Sequence, residues 1–327
     1  MLRSLILAAA LIATPAAFAQ TFPVTIDHVY GQTSIPSEPK RIVTWGWGNE
    51  DAAIALGVIP VGMPFQSYGG GDDGIQPWVA TALAGATPPT ILPNSTEPPF
   101  EQIAALRPDL IIAVFSGITA EQYALFSQIA PTVAYSGDAW STPWQDVTRT
   151  VGVALGKQAE AELLIADTLD YLDAEIAKYP ELEGITFASV SDYDGAIAVY
   201  DALDARMKFL TDLGLTLAPS VTELSPRDGS FFYSLSYEVF DQLKSDILVT
   251  YYEEQAPLDE FLVRSYVAAM PQVQTGAVAA LVGTENVAAV SPPSALSLRW
   301  ASPPMPAFSP KPPAMPGIEL RKGGPPR

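Results

Sequence analysis

A chain of 327 residues is long enough for about two domains, and at 48% apolar and 16% charged it can bury a core rather than remain a disordered acidic tail. Seventeen basic residues against 36 acidic ones give a net charge of −19, which repels a phosphate backbone and excludes nucleic acid as a partner. The lack of cysteine excludes disulfides, thiolate metal sites, iron–sulfur clusters, cysteine nucleophiles and lipid attachment through an N-terminal cysteine, and a single histidine, His28, excludes a multi-histidine metal site.

The chain opens as a secretory signal. Arg3 precedes the apolar stretch Leu5 to Ala13, and Ala17-Phe18-Ala19 is a small-x-small cleavage site before Gln20. Pro15 and Gln20 leave the apolar run short of the roughly 20 residues a membrane span needs. Residues 1–19 are therefore expected to be removed, leaving a free, periplasmic mature chain in a two-membrane bacterium.

Residues 20–140 read as an α/β lobe. Val24 to His28 and Arg41 to Thr44 are strands, separated by the turn-rich Gly31 to Lys40. A helix follows from Asn49 to Leu56, stopped by Gly57, then a strand over Val58 to Met63. Helix Phe100 to Leu106, turn Arg107-Pro108-Asp109, strand Leu110 to Val114, helix Ala120 to Ile129 and strand Thr132 to Tyr135 repeat the pattern. Helices alternating with strands that are apolar throughout predict a parallel sheet covered on both faces.

Residues 141–182 form a linker. From Gln158 to Lys178 there is neither glycine nor proline, and Ile165, Leu169, Leu172 and Ile176 fall on one helical stripe. A helix over 158–178 spans on the order of 30 Å, the width of a small domain. The alternation then resumes over 183–301: strands Thr186 to Val190, Ile197 to Tyr200, Ile247 to Tyr251 and Ala277 to Val282, with helices Met207 to Leu213, Tyr237 to Leu243 and Leu258 to Ala269. Two α/β lobes braced by one long helix make a stiff body with a cleft between them, in which large hinge closure is not expected. Residues 302–327 carry nine prolines, four basic residues and one acid, and no apolar period. Without this tail and Arg3, 12 basic residues face 35 acidic ones.

Several segments, in order, carry a family resemblance. Pro39-Lys40-Arg41-Ile42-Val43, NEDAAIALG (49–57), PFEQIAALRPDLII (99–112), DARMKFLTDLG (204–214), SYEVFDQLKSDILV (236–249) and SPPSALSL (291–298) together resemble the periplasmic iron–siderophore-binding proteins of ABC importers. The resemblance implies two Rossmann-like lobes with mostly parallel sheets joined by one long α-helix, the class III periplasmic binding protein architecture. It also implies a monomeric, non-enzymatic receptor without a cofactor, whose ligand is a ferric siderophore and whose partner is an inner-membrane ABC permease. Where such proteins continue from a segment like Leu296 to Trp300 into a closing helix, this chain has the proline-rich tail.

A ferric chelate needs rigid aromatic surface for its flat or greasy parts and a few donors for its oxygens. In open α/β sheets these come from loops at the carboxyl ends of strands. Trp45 and Trp47 flank Gly46 after the first sheet strand. Tyr68, Trp78, Ser116 and Trp140 occupy later connections of the first lobe. In the second lobe Tyr200, Tyr251 and Tyr252 end strands, and Arg206 stands in a strand–helix loop as a cation for a chelate's negative charge. Phe231, Phe232 and Tyr233 form a further aromatic cluster, and Arg227 is a weaker cation. The resemblance also implies one acidic residue per lobe for docking to the permease, matched here by Asp51 or its neighbour Glu50, and by Glu238. A cobalamin or haem receptor of the same architecture stays open as an alternative. An exported hydrolase is disfavoured, because the one histidine lies in the first mature strand and no G-x-S-x-G occurs.

Overall fold

The computed structural model describes residues 21–93, 95, 97–193 and 195–301, with Tyr193 described by its backbone; the expected signal peptide and the proline-rich tail lie outside the described residues. The first two strands, β1 (Val24–His28) and β2 (Gly31–Ile35), pair as an antiparallel hairpin. The second strand replaces part of the expected turn-rich stretch: Thr33 and Ile35 alternate inward while the polar Gln32 and Ser34 face out.

The first lobe follows in chain order as β3 (Ile42–Thr44), α1 (Asn49–Ala55), β4 (Gly62–Pro64), α2 (Pro77–Ala82), β5 (Thr90–Leu92), α3 (Phe100–Ala105), β6 (Leu110–Ala113), α4 (Ala120–Ile129) and β7 (Thr132–Ala134). The sheet order is β5-β4-β3-β6-β7 and every pairing is parallel. Its central strands are buried on both faces, with Ile42, Leu110, Ile111 and Ile112 at no more than 1% exposure. Such strands read as unbroken apolar runs because helices cover both sides. The strand expected over 58–63 is reduced to 62–64. Pro60 has no N–H to offer a ladder, so pairing begins beyond it.

Two helices, not one, then lead out of the lobe. The unanticipated α5 (Trp144–Leu155) buries Val147, Val151, Ala154 and Leu155 in the first lobe's core. After a left-handed cap at Gly156 comes α6 (Gln158–Ile176), the expected long helix, and Arg149 of α5 pairs with Glu162 of α6 at 2.7 Å. The long helix divides its stripe between two cores. Ala161 packs in the first, while Ile165 and Leu172 pack in the second against Phe187, Leu210 and Leu213. Each buried aliphatic side chain of that stripe contributes about 1.5–3 kcal/mol, so the helix is anchored at both ends.

The second lobe comprises β8 (Thr186–Tyr193), β9 (Ala196–Tyr200), α7 (Ala205–Asp212), β10 (Thr216–Leu217), α8 (Pro219–Leu224), β11 (Phe232–Leu235), a 3₁₀ turn (Tyr237–Gln242), β12 (Ile247–Tyr252), α9 (Gln255–Leu262), α10 (Ser265–Ala268), α11 (Pro271–Thr275), β13 (Val278–Val282), α12 (Thr284–Ala288) and α13 (Ala295–Trp300). Its sheet runs β11-β9-β8-β12-β13, with β10 beside the start of β8. Here the sheet is mixed. Strands β8, β10, β12 and β13 pair in parallel, whereas β9 and β11 are antiparallel. Strand β9 follows β8 through a hairpin too short for the crossover that parallel pairing requires. The helix expected over 258–269 is divided by extended backbone at Arg264.

The last helix, α13, returns to the first lobe. Leu296 and Trp300 pack against Ile54, Met63, Trp78 and Val79, and Arg299 reaches back to Asp167 of α6 at 2.6 Å. The lobes are thus tied twice, by α6 and by the closing segment.

Candidate ligand-binding cleft

A cavity of about 580 Å³ lies between the lobes. One wall comes from the turn after β3. Gly46 has φ 103°, and a Cβ there would stand 2.3 Å from the Phe115 carbonyl oxygen, so only glycine lets the turn lie against the end of β6. The buried Asn49 fastens it. Its Oδ1 accepts from the backbone N–H of Val114 (2.9 Å) and Phe115 (3.0 Å), and its Nδ2 donates to the carbonyls of Trp45 (2.9 Å) and Phe115 (3.1 Å). With Trp47 N donating to Phe115 O at 3.1 Å, the turn has one conformation and Trp47 projects into the cleft.

Around Trp47 stand Tyr68, whose ring plane lies within 4° of parallel at 6.4 Å, and Trp140, edge-on at 6.3 Å and also against Phe115 at 5.7 Å. Trp140 holds a left-handed backbone, φ 60°, which costs a non-glycine residue roughly 1–3 kcal/mol. Its N donates to Ser116 O, and its indole lies over Gly117, where a Cβ would come within 2.3 Å of Nε1.

The opposite wall rises from the ends of β9 and β12. Tyr200 and Tyr251 meet edge to face at 5.8 Å, and the Arg206 guanidinium lies 3.7 Å from the Tyr200 ring centre and 5.1 Å from that of Tyr251. Asp204, the N-cap of α7, accepts from Arg206 N (2.8 Å), Nε (2.9 Å) and, through its other oxygen, Nη2 (2.7 Å). Phe231, Ser191, Val287, Ser291 and Pro292 complete the lining. Burial pushes the Tyr68 hydroxyl up to about 12 and raises Tyr251 further, so both stay protonated as donors. Among the described residues no three His, Cys, Asp or Glu side chains gather to hold a metal ion, so the walls offer contacts to a complex and no chelating set to a bare cation.

The family model for periplasmic binding proteins matches residues 69–283, well over half of the chain. The chain belongs to the periplasmic binding protein family. Its two lobes and joining helix are the class III form of that family. Similar solved structures include PiaA of Streptococcus pneumoniae in complex with ferrichrome (31% identity, TM-score 0.79, 85% of this chain and 95% of that one) and a periplasmic solute binding protein of Mycobacterium smegmatis (30%, 0.74, 87% and 96%). Among curated relatives, the Bacillus subtilis protein named "Probable siderophore-binding lipoprotein YfiY" is 28% identical over 244 residues, 72% of this chain and 71% of the relative. Across this and six further curated relatives the match covers between 38% and 71% of the relative's own length.

Six of the residues expected to line the cleft of this binding protein meet in the cavity: Trp47, Tyr68, Trp140, Tyr200, Arg206 and Tyr251. Four do not. Trp45 points the other way from Trp47 and is buried against Phe126 at 6.2 Å. Trp78 sits in α2 with its indole packed on Trp300 at 5.5 Å and its Nε1 donating to Asp51 Oδ2 at 2.6 Å. Ser116 is 1% exposed and its hydroxyl turns back to Ala113 O. Tyr252, one residue beyond Tyr251, takes the opposite sheet face and packs on Phe261. The expected docking acids also divide. Glu238 is exposed, but Glu50 and Asp51 are buried at 0% and 2% and cannot meet another protein.

Those two carboxyls are a structural device of this binding protein. Glu50 Oε1 accepts from Gln66 at 2.6 Å; Asp51 Oδ2 accepts from Trp78 and from Ser294, the latter at 2.5 Å and 243 residues away in sequence. The second oxygen of each is buried without a partner. Desolvation, and then the neighbouring Asp51 charge, push Glu50 up to about 8; desolvation raises Asp51 too, opposed by its Ser294 and Trp78 bonds. Protonation answers the cost of burying two adjacent carboxylates.

Phe115, Asp204, Ser191, Ser291 and Pro292 line the cleft without having been singled out for it. Another signal was also available. FEQIAALRPDLII (100–112) and YEVFDQLKSDILV (237–249) coincide position for position at Glu101/Glu238, Leu106/Leu243 and Asp109/Asp246. The structure makes them equivalent. Asp109 accepts from the N–H of Lys40 and Arg41 beside β3, and Asp246 from the N–H and hydroxyl of Thr186 at the start of β8. Glu101, exposed at the start of α3, is therefore the first-lobe counterpart of Glu238.

Proposed function

We propose that this chain is the receptor of an iron-uptake ABC importer: it takes up a ferric siderophore between its lobes and presents it to the permease without altering it. One observation carries the reading. An interlobe cavity of about 580 Å³ is walled by Trp47, Tyr68, Phe115 and Trp140 on one side and Tyr200, Arg206, Phe231 and Tyr251 on the other, with few polar groups between. Rigid rings of this kind suit a compact chelate with an apolar rim, and its size suits a ligand of several hundred daltons. The ferrichrome complex of PiaA and the siderophore named for YfiY support the same cargo.

Receptor action sits outside the cytoplasmic membrane, where residues 1–19 would direct the chain. No helix among the described residues is long and apolar enough to cross a membrane. In this reading the mature chain acts as a monomer. Docking uses Glu101 and Glu238, one exposed acid at the same place on each lobe, reaching basic residues of the permease.

Trp47 and Trp140 make binding visible. Titration of purified protein with ferric siderophores is expected to quench tryptophan fluorescence at micromolar concentrations or below, with the chelate recovered intact. Quenching by haem or cobalamin alone would replace the cargo, and consumption of the chelate would replace the receptor with an enzyme.

A further inference from the structure

Similarity leaves the charge of the cargo open, since names among the relatives include ferric citrate as well as ferrichrome. The cavity itself is more restrictive. Among the described residues lining it, Arg206 and Asp204 are the charged ones, and they are bound to each other. Asp204 takes both the Nε and Nη2 hydrogens, and the two side chains are 14% and 5% exposed. The carboxylate is also fixed by capping α7, and the guanidinium is fixed by stacking on Tyr200 at 3.7 Å. Arg206 cannot become a free counter-ion without leaving the Asp204 carboxylate buried and unpaired, although its remaining N–H groups can still donate from within the pair.

The remaining polar groups are neutral. The hydroxyls of Tyr200 and Ser191 share a bond at 3.0 Å, and the buried Ser291 Oγ has no partner. The chain as a whole carries −19, which opposes entry of an anion.

Resting on the receptor reading above, we propose that the cleft selects ferric chelates of no net charge, such as trihydroxamates, and rejects anionic carboxylate and catecholate chelates because its one guanidinium is neutralised within the wall by Asp204. Arg206 then serves as a flat, stacked surface and hydrogen-bond donor for neutral oxygens rather than as a counter-ion. The ion pair is a specificity device: it removes the attraction an anionic competitor would otherwise find.

The test is a fluorescence titration of the mature protein with ferrichrome, ferric citrate and trianionic ferric enterobactin. The wild type is expected to bind ferrichrome at least on the order of 100-fold more tightly than either anion. Asp204→Asn keeps the helix cap but releases the guanidinium, and is expected to improve the anions relative to ferrichrome by about 10-fold or more. Wild-type protein that binds either anion as tightly as ferrichrome overturns the selectivity while leaving the receptor standing. An unchanged ratio in a folded Asp204→Asn protein overturns the role of the ion pair. Failure of all three chelates to bind removes the receptor reading and this inference with it.

Discussion

On the first-lobe side of the cleft, the uncharged Asn49 amide holds Trp45, Val114 and Phe115 through four backbone groups, and Phe115 O in turn accepts from Trp47 N. On the second-lobe side, Asp204 holds Arg206 through an ion pair, and Arg206 in turn lies on Tyr200. Both arrangements fix aromatic rings, but they fail differently. An amide network inside the protein supports backbone, so its loss is a loss of structure. The ion pair sits at the ligand surface, so changing it alters what the surface attracts while the strands behind it keep their own ladders. Rigidity and selectivity in this cleft thus fall to different residues.

The largest expected effect breaks the first wall. Asn49→Ala leaves buried donors and acceptors of residues 45, 114 and 115 without partners and is expected to cost about 3 kcal/mol of stability, read as a lowered midpoint in urea, with ligand affinity falling alongside. Trp47→Ala isolates the ring from its support. Affinity for a bound ferric chelate should fall by roughly 10- to 100-fold in a calorimetric titration while the urea midpoint moves much less, since Trp47 is only partly buried.

The carboxyl pair behind the first wall extends the comparison to charge inside that lobe. In the unfolded chain Glu50 and Asp51 lose their protons in the ordinary carboxylate range, whereas the fold retains the Glu50 proton up to about pH 8. Raised folded values mean that stability is fully present below the unfolded range and is lost as pH rises toward 8. The melting temperature should fall by roughly 5 °C between pH 5 and pH 8, and Glu50→Gln should flatten that slope. A slope unchanged in the variant would assign the pH dependence elsewhere. The smallest effect on the isolated protein is expected from Glu101→Arg and Glu238→Arg, with ligand affinity unchanged but uptake in cells reduced severalfold by either and further by both.

The parallel core of the first lobe was legible because Leu110 to Val114 is apolar without interruption and the short run from Thr132 to Tyr135 follows a helix in the same alternation, and the long helix because no breaker falls between Gln158 and Lys178. The α5 helix was not, since residues 141–157 read as a connection to the long helix, although Val147, Val151, Ala154 and Leu155 mark one buried face. In the cleft, strand ends pointed to Tyr200 and Tyr251, and both line the cavity, but the facing of neighbours was beyond reach. Trp45 against Trp47 and Tyr251 against Tyr252 differ by a turn of the backbone that only the Gly46 conformation and the sheet register decide. Glu50 and Asp51 at a helix start look like surface acids in sequence; the residue that buries Asp51, Ser294, lies at the far end of the chain.

That distant contact bears on how the protein comes into being. Leu296 and Trp300 complete the packing around Met63 and Trp78, and Ser294 satisfies Asp51. A polypeptide emerging from a ribosome tunnel from its beginning would therefore carry an unfinished first lobe until residues 294–300 had followed. Only then would Ser291 and Pro292 join the lining, so that the cavity between the lobes is closed later than either sheet is laid down.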